Sequence, residues 1–169
     1  MEFTLKTLSP EAVPRALAKA ERYRLLNEPN EAESICLDAL EIEPDNQELL
    51  ATLLLALTEQ FTDDTRPFAV VDAWKTVVRL SDDYERAYYN GIVHERRAKA
   101  QLSHGTLGCG PRAYGWLREA MSWYERAEMI RPPGNDDAVL RWNACARLIM
   151  RDPHLVPARE EPAEPLLLE

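Results

Sequence analysis

Residues 20–44, AERYRLLNEPNEAESICLDALEIEP, decide how the chain folds. Ala20 and Tyr23 end one stretch of helix-forming sequence, and the run Asn27-Glu28-Pro29-Asn30 turns the chain. Ala32, Cys36 and Ala39 then open a second stretch that stops at Pro44. Steps of four and three residues bring these three side chains onto one face of an α-helix. The small residues let a neighbouring helix approach, and the larger one fills the space above it. Proline ends the helix because it donates no backbone hydrogen bond. The segment therefore predicts two antiparallel helices joined by a tight turn.

The second half of the pattern returns further along. Ala120-x3-Tyr124-x2-Ala127-x4-Pro132 keeps its spacing, and Val70-x3-Trp74-x2-Val77-x4-Asp82 is a looser copy. Recurrence at this scale marks a chain built from stacked units. These residues resemble the tetratricopeptide repeat family, with Ala32 to Pro44 similar to its second helix and Ala20-x2-Tyr23 to the end of its first. The resemblance implies an all-α fold. The expected architecture is a right-handed stack of antiparallel helical hairpins, a TPR-like α-solenoid of about three units with a C-terminal capping helix.

Ala, Leu, Glu and Arg dominate and glycines number only six, which favours helix throughout. Residues 1–8 are expected to be a lead-in and 9–151 a single helical domain, its units falling near 10–46, 47–83 and 84–134. The capping helix then covers 135–151, and residues 152–169 form a proline-rich acidic tail, loosely attached. Ser9-Pro10-Glu11 predicts the first helix start, with Pro14 able to shift it. Gln47 to about Phe61 is apolar almost all round and is expected to be buried between neighbours. Phe68–Leu80, Tyr84 to about Leu102 and Arg112–Arg131 are the next helices, with the glycine-rich insert Ser103–Pro111 before the last of them. In the final helix, Ala138, Trp142, Cys145 and Ile149 make an apolar stripe, while Arg141, Arg147 and Arg151 are expected to face water.

A net charge of −9 argues against general nucleic-acid binding, which needs basic surface. Three widely spaced cysteines with no CxxC pair favour reduced thiols over a disulfide frame or a zinc site. The N-terminus lacks the apolar core of a signal peptide, and no apolar run is long enough to span a bilayer. The expectation is a soluble cytoplasmic protein.

No catalytic motif emerges, so no enzyme activity, cofactor or metal is expected. His94 and His104 are ten residues apart and no histidine pair has the i,i+4 spacing of metal ligands on a helix. Asp63-Asp64, Asp82-Asp83 and Asp136-Asp137 all lie at breaks between helices, where acids cap the next helix. The tetratricopeptide resemblance implies instead a groove lined by the first helix of each unit. The groove residues it points to are Ala51 and Leu55, then Arg86, Tyr89, Asn90, Val93, Arg96 and Arg97, and finally Asn143 and Arg147. The same register places Leu17, Glu21, Arg24 and Thr58 along that line. An apolar floor with an arginine wall would suit an extended peptide carrying apolar and acidic side chains. The function so implied is a protein–protein interaction adaptor. The alternatives are a small-anion or nucleotide-binding regulator using the insert 103–111, and a homo-oligomerisation module. A further option is that the acidic, leucine-ending tail occupies the groove of its own or a neighbouring molecule.

Overall fold

The computed structural model describes residues 3–158, all helical apart from turns and connectors. A 3-10 turn at Pro10–Ala12 leads into α1 (Val13–Leu25), followed by α2 (Pro29–Leu40), α3 (Gln47–Thr58) and α4 (Ala69–Val77). Then come α5 (Asp83–Ser103), α6 (Cys109–Ile130) and α7 (Asp137–Arg151). Each helix packs on the next, and α3 additionally touches both α1 and α5. This packing is that of a helical bundle or repeat.

The anchor residues of the opening motif are where the spacing puts them. Ala20, Ala32, Cys36 and Ala39 are fully buried, as are Ala120, Tyr124 and Ala127. The apolar helix α3 sits at the centre of the first core, with Leu49, Leu50, Leu53, Leu54 and Leu57 all inside. Burial of one such leucine stabilises by roughly 1.5–3 kcal/mol, so α3 dominates that core. A second core gathers Ala87, Ile92 and Ala98 from α5 with Leu117, Tyr124, Ala127, Ala138 and Cys145. Helix α5 serves both, since its Val93 belongs to the first.

Several details differ from the sequence reading. The α-helix does not start at Ser9, whose side chain caps nothing; Pro10–Ala12 form a 3-10 turn first. A proline ring clashes with the carbonyl four residues earlier, so Pro14 keeps Pro10 out of the α-helix. In α4 the first two positions of the looser copy are one residue off: Ala69 and Ala73 are buried beside Thr76, whereas Val70 and Trp74 are only half-buried; Val77 is buried as expected. Small side chains again mark the contact face, and the bulkier Trp74 is displaced to its edge. Helix α3 ends at Thr58, short of Phe61, and α6 starts at Cys109 rather than Arg112. The residue before it, Gly108, has φ 76°, a left-handed conformation that glycine adopts without strain.

The chain beyond α7 is not loose along its first stretch. Leu155 is buried in the second core, and the His154 carbonyl oxygen would lie only 2.3 Å from a Cβ placed on Gly110. Gly110 thus admits the returning backbone to the start of α6. Residues 159–169, including the tail expected to enter the groove, lie outside the described residues. No helix among the described residues is long and apolar enough to cross a membrane.

Candidate functional site

A shallow pocket of about 300 Å³ opens between α1, α3 and α5. From α1 it takes Glu21 and Arg24, three residues apart on one face. From α3 it takes Gln47, Glu48, Ala51, Thr52 and Leu55, and from α5 Glu85 and Tyr89, one turn apart. Beyond the first turn of α3, only Ala51 and Leu55 are left half-open by the flanking helices. Tyr89 closes the floor. Its hydroxyl is pushed up to about 12, first by burial and then by the charge of Glu85.

The pocket therefore unites five of the residues the sequence register points to, Ala51, Leu55 and Tyr89 together with Glu21 and Arg24. The others go elsewhere. Val93 is fully buried in the core and cannot touch a ligand. Arg86 turns back on the chain, donating to the carbonyls of Leu80 at 2.8 Å and Ser81 at 3.1 Å and pairing with Asp83. Asn90 donates to the Arg86 carbonyl within its own helix. Arg97 stacks on Trp116, 3.9 Å from the ring centroid. Arg96 shares the stripe of Tyr89 but lies two turns, about 10 Å, further along, outside the pocket. Asn143 and Arg147 stand on α7, also outside it.

The expected basic wall is consequently absent from this pocket. Adjacent arginines on a helix point about 100° apart, so Arg96 and Arg97 cannot face one trough together. The rim is acidic instead. Glu21, Glu48 and Glu85 make no ion pair among the described residues, and burial with the nearby Asp82 charge pushes the Glu85 carboxyl above its ordinary range. The sole arginine of the pocket is engaged: Arg24 donates through Nη2 to Glu59 Oε1 at 2.7 Å and through Nε to Glu59 Oε2 at 3.2 Å. The acids were legible in the sequence as residues, but their gathering depends on how α1, α3 and α5 meet.

A second polar cluster lies inside the junction of α5, α6 and α7, and sequence reasoning missed it. Glu95 is almost wholly buried. Its Oε2 accepts from the Tyr124 hydroxyl at 2.6 Å, and its Oε1 accepts from Lys99 at 2.5 Å and from Arg141 at 3.4 Å. Burial pushes this carboxyl up, yet the hydrogen bonds from Lys99 and Tyr124 and the two cations leave it below its ordinary value. Arg141, expected to face water, is drawn inward to this carboxylate. The Cys145 thiol is pushed up to about 12 by burial and by Glu95, and so stays protonated. Nearby, His94 meets Trp74 edge-on and stacks on Trp116, at centroid distances of 4.8 and 5.4 Å.

Two of the acid pairs cap helices or turns. Asp82 accepts from the Glu85 amide at 2.8 Å, and Asp63 from the Thr65 amide at the same distance. Asp136 pairs with Arg131 at 3.2 Å instead. Residues 103–108 of the glycine-rich insert are exposed, whereas Gly110 is buried with the His154 backbone packed on its Cβ side. No family model, curated protein or solved structure matches the chain.

Proposed function

We propose that the chain is a non-enzymatic, cytoplasmic interaction module. On this reading it is a tetratricopeptide-like stack of helical hairpins that takes an extended partner segment in the trough between α1, α3 and α5. The observation that carries the reading is one open pocket in which uncommitted carboxylates stand above apolar surface. Glu21, Glu48 and Glu85 rim it, while Ala51, Leu55 and Tyr89 lie below. Burial of Tyr89 and the raised Glu85 carboxyl support it further, because both indicate a place partly withdrawn from water. A partner cation would relieve that desolvation by pairing with the acid.

The partner chemistry follows from charge. An acidic peptide, expected while the wall was read as arginine, would be repelled by three carboxylates. A segment carrying lysine or arginine beside one or two apolar side chains fits instead, and the net charge of −9 would speed its encounter. Titration of fluorescent peptides by anisotropy tests this. Basic-apolar peptides are expected to bind the wild type, and Glu48→Lys/Glu85→Lys to weaken them at least about tenfold, roughly 1.4 kcal/mol. Equal binding of matched acidic peptides, or unchanged affinity of the double variant, would overturn the assignment.

A further inference from the structure

The junction of α6 and α7 offers a second surface, independent of the trough. Tyr114 and Met121 of α6 and Trp142, Ala146, Ile149 and Met150 of α7 line a mostly apolar groove. Met150 is 76% exposed. The earlier junction of α2 and α3 has α4 beside it, and all three line a pocket that includes Leu37, Leu53, Leu57 and Thr76. At α6 and α7 no described element plays the part of α4.

We infer that the groove between α6 and α7 is the seat of the chain's own final segment, with Leu166, Leu167 and Leu168 laid on Trp142, Ile149 and Met150. Three observations point to this occupant. The chain is already delivered there, because Leu155 is anchored in the second core and the His154 backbone rests on Gly110, one helical turn from Tyr114. The reach is sufficient: residues 159–169 extended would span about 36 Å, whereas Tyr114 to Met121 covers about 10 Å of helix. Charge also matches. The segment carries Glu160, Glu161 and Glu164, and Arg118 lines the groove. Exposed Arg147, one turn before Met150, and exposed Arg151 edge α7 on one side of that residue. None of these three arginines makes an ion pair among the described residues.

Charge equally separates this seat from the trough. Glu21, Glu48 and Glu85 would repel a segment bearing the same sign, whereas at the groove Arg118, Arg147 and Arg151 outnumber Glu125, which accepts from Trp142 at 2.9 Å. The seat would cover an apolar face that otherwise invites self-association.

Disulfide trapping in the full-length chain tests the inference, with Cys109→Ser removing the half-exposed native thiol. In that background Met150→Cys/Leu167→Cys is expected to close within one molecule, and faster than Glu48→Cys/Leu167→Cys, which reports a tail in the trough. Hydrogen exchange is the second readout. Replacing Leu166, Leu167 and Leu168 together by serine is expected to speed exchange of residues 142–150 at least about threefold. Three results would overturn the inference: faster closure of the Glu48 pair, unchanged exchange in the serine variant, or a Met150 disulfide formed only between molecules with a doubled mass by light scattering. The last would assign the groove to a second copy.

Discussion

The hairpins α1/α2 and α5/α6 use one spacing and solve it with opposite chemistry. In the first, the position between the two buried alanines is Cys36, and Ala20 of the partner helix is buried in the same core. In the second, that position is Tyr124, and the facing helix has Gly91, where a Cβ would lie 2.3 Å from Tyr124 Cε1. A larger knob requires a deeper hole. The tyrosine then brings a hydroxyl into the core, and buried polar groups need partners, which Glu95, Lys99 and Arg141 provide. Between its own two helices the first hairpin is held by packing of small apolar groups, its buried Glu33 pairing instead with Gln60 and Arg66 beyond α3; the second adds a buried charge network between its helices.

The strongest way to break the comparison is at Glu95. Glu95→Ala leaves the Tyr124 hydroxyl without its acceptor and Arg141 half-buried without its anion. Loss of one partner from a buried ionic cluster costs roughly 3–5 kcal/mol, and the partial exposure of Lys99 and Arg141 places this one near 3. Urea denaturation checks it. A change within about 1 kcal/mol would mean that the network does not hold the second hairpin. The same carboxyl supplies a pH test. Because its folded value is depressed, its stabilisation is full above the ordinary glutamate range, near 4.3, and is lost as pH falls through the lower folded value. The stability gap between wild type and Glu95→Gln should therefore be flat above about pH 5 and shrink below about pH 4. A gap that widens on acidification would contradict the assignment.

The glycine gives the next effect in size. Gly91→Ala gains helix propensity of about 1 kcal/mol, but it drives a methyl into a ring fixed at its hydroxyl. Overpacking of this sort typically costs about 1–3 kcal/mol, and with a backbone pinned on both sides we expect a net loss near 2. Ala20→Gly, the reverse change in the first hairpin, should lose about 1 kcal/mol through propensity and about 0.8 kcal/mol more with its buried methyl. If Gly91→Ala is neutral while Ala20→Gly is costly, the two hairpins do not differ in the way their knobs suggest. Double-mutant analysis of Gly91→Ala with Tyr124→Leu sharpens this, since neighbours in contact should show coupling of at least about 0.5 kcal/mol.

The helices were legible because burial of Ala32, Cys36 and Ala39 is a local, periodic property of the sequence. The all-helical class and the turns near Asn27–Asn30 and Pro132 therefore followed from spacing. In α4 the same rule slipped at two of its three positions, because Val70 and Trp74 are half-buried while Ala69, Ala73 and Thr76 join Val77 in the contact. Bulk misled where smallness decided. The site was legible only where it depends on one helix: Ala51 and Leu55 share a stripe of α3, and Tyr89 lies on the face of α5 turned towards it. The sign of its charge was not, since an arginine's availability depends on partners far away in sequence. Arg86, Arg97 and Arg141 are each engaged, by carbonyls before α5, by Trp116 and by Glu95. None of those partners can be read from helical periodicity.

Arg24 and Glu59 supply the smallest effect and the sharpest test of what the first hairpin needs. The pair joins α1 to the residue after α3 by two parallel hydrogen bonds, with both side chains about one-fifth exposed. A fork of this kind is stronger than a single surface ion pair, yet solvent screens it, so Arg24→Gln should cost only about 1 kcal/mol. The core beneath it is untouched, and the helical signal should be unchanged. The effect on the trough is larger than the effect on the fold. Removing a cation from beside Glu21 and Glu85 leaves the pocket more negative and should tighten a basic peptide, by about twofold or more, rather than weaken it. If Arg24→Gln weakens that peptide, the guanidinium itself recognises the partner, and the acidic rim is not what selects it.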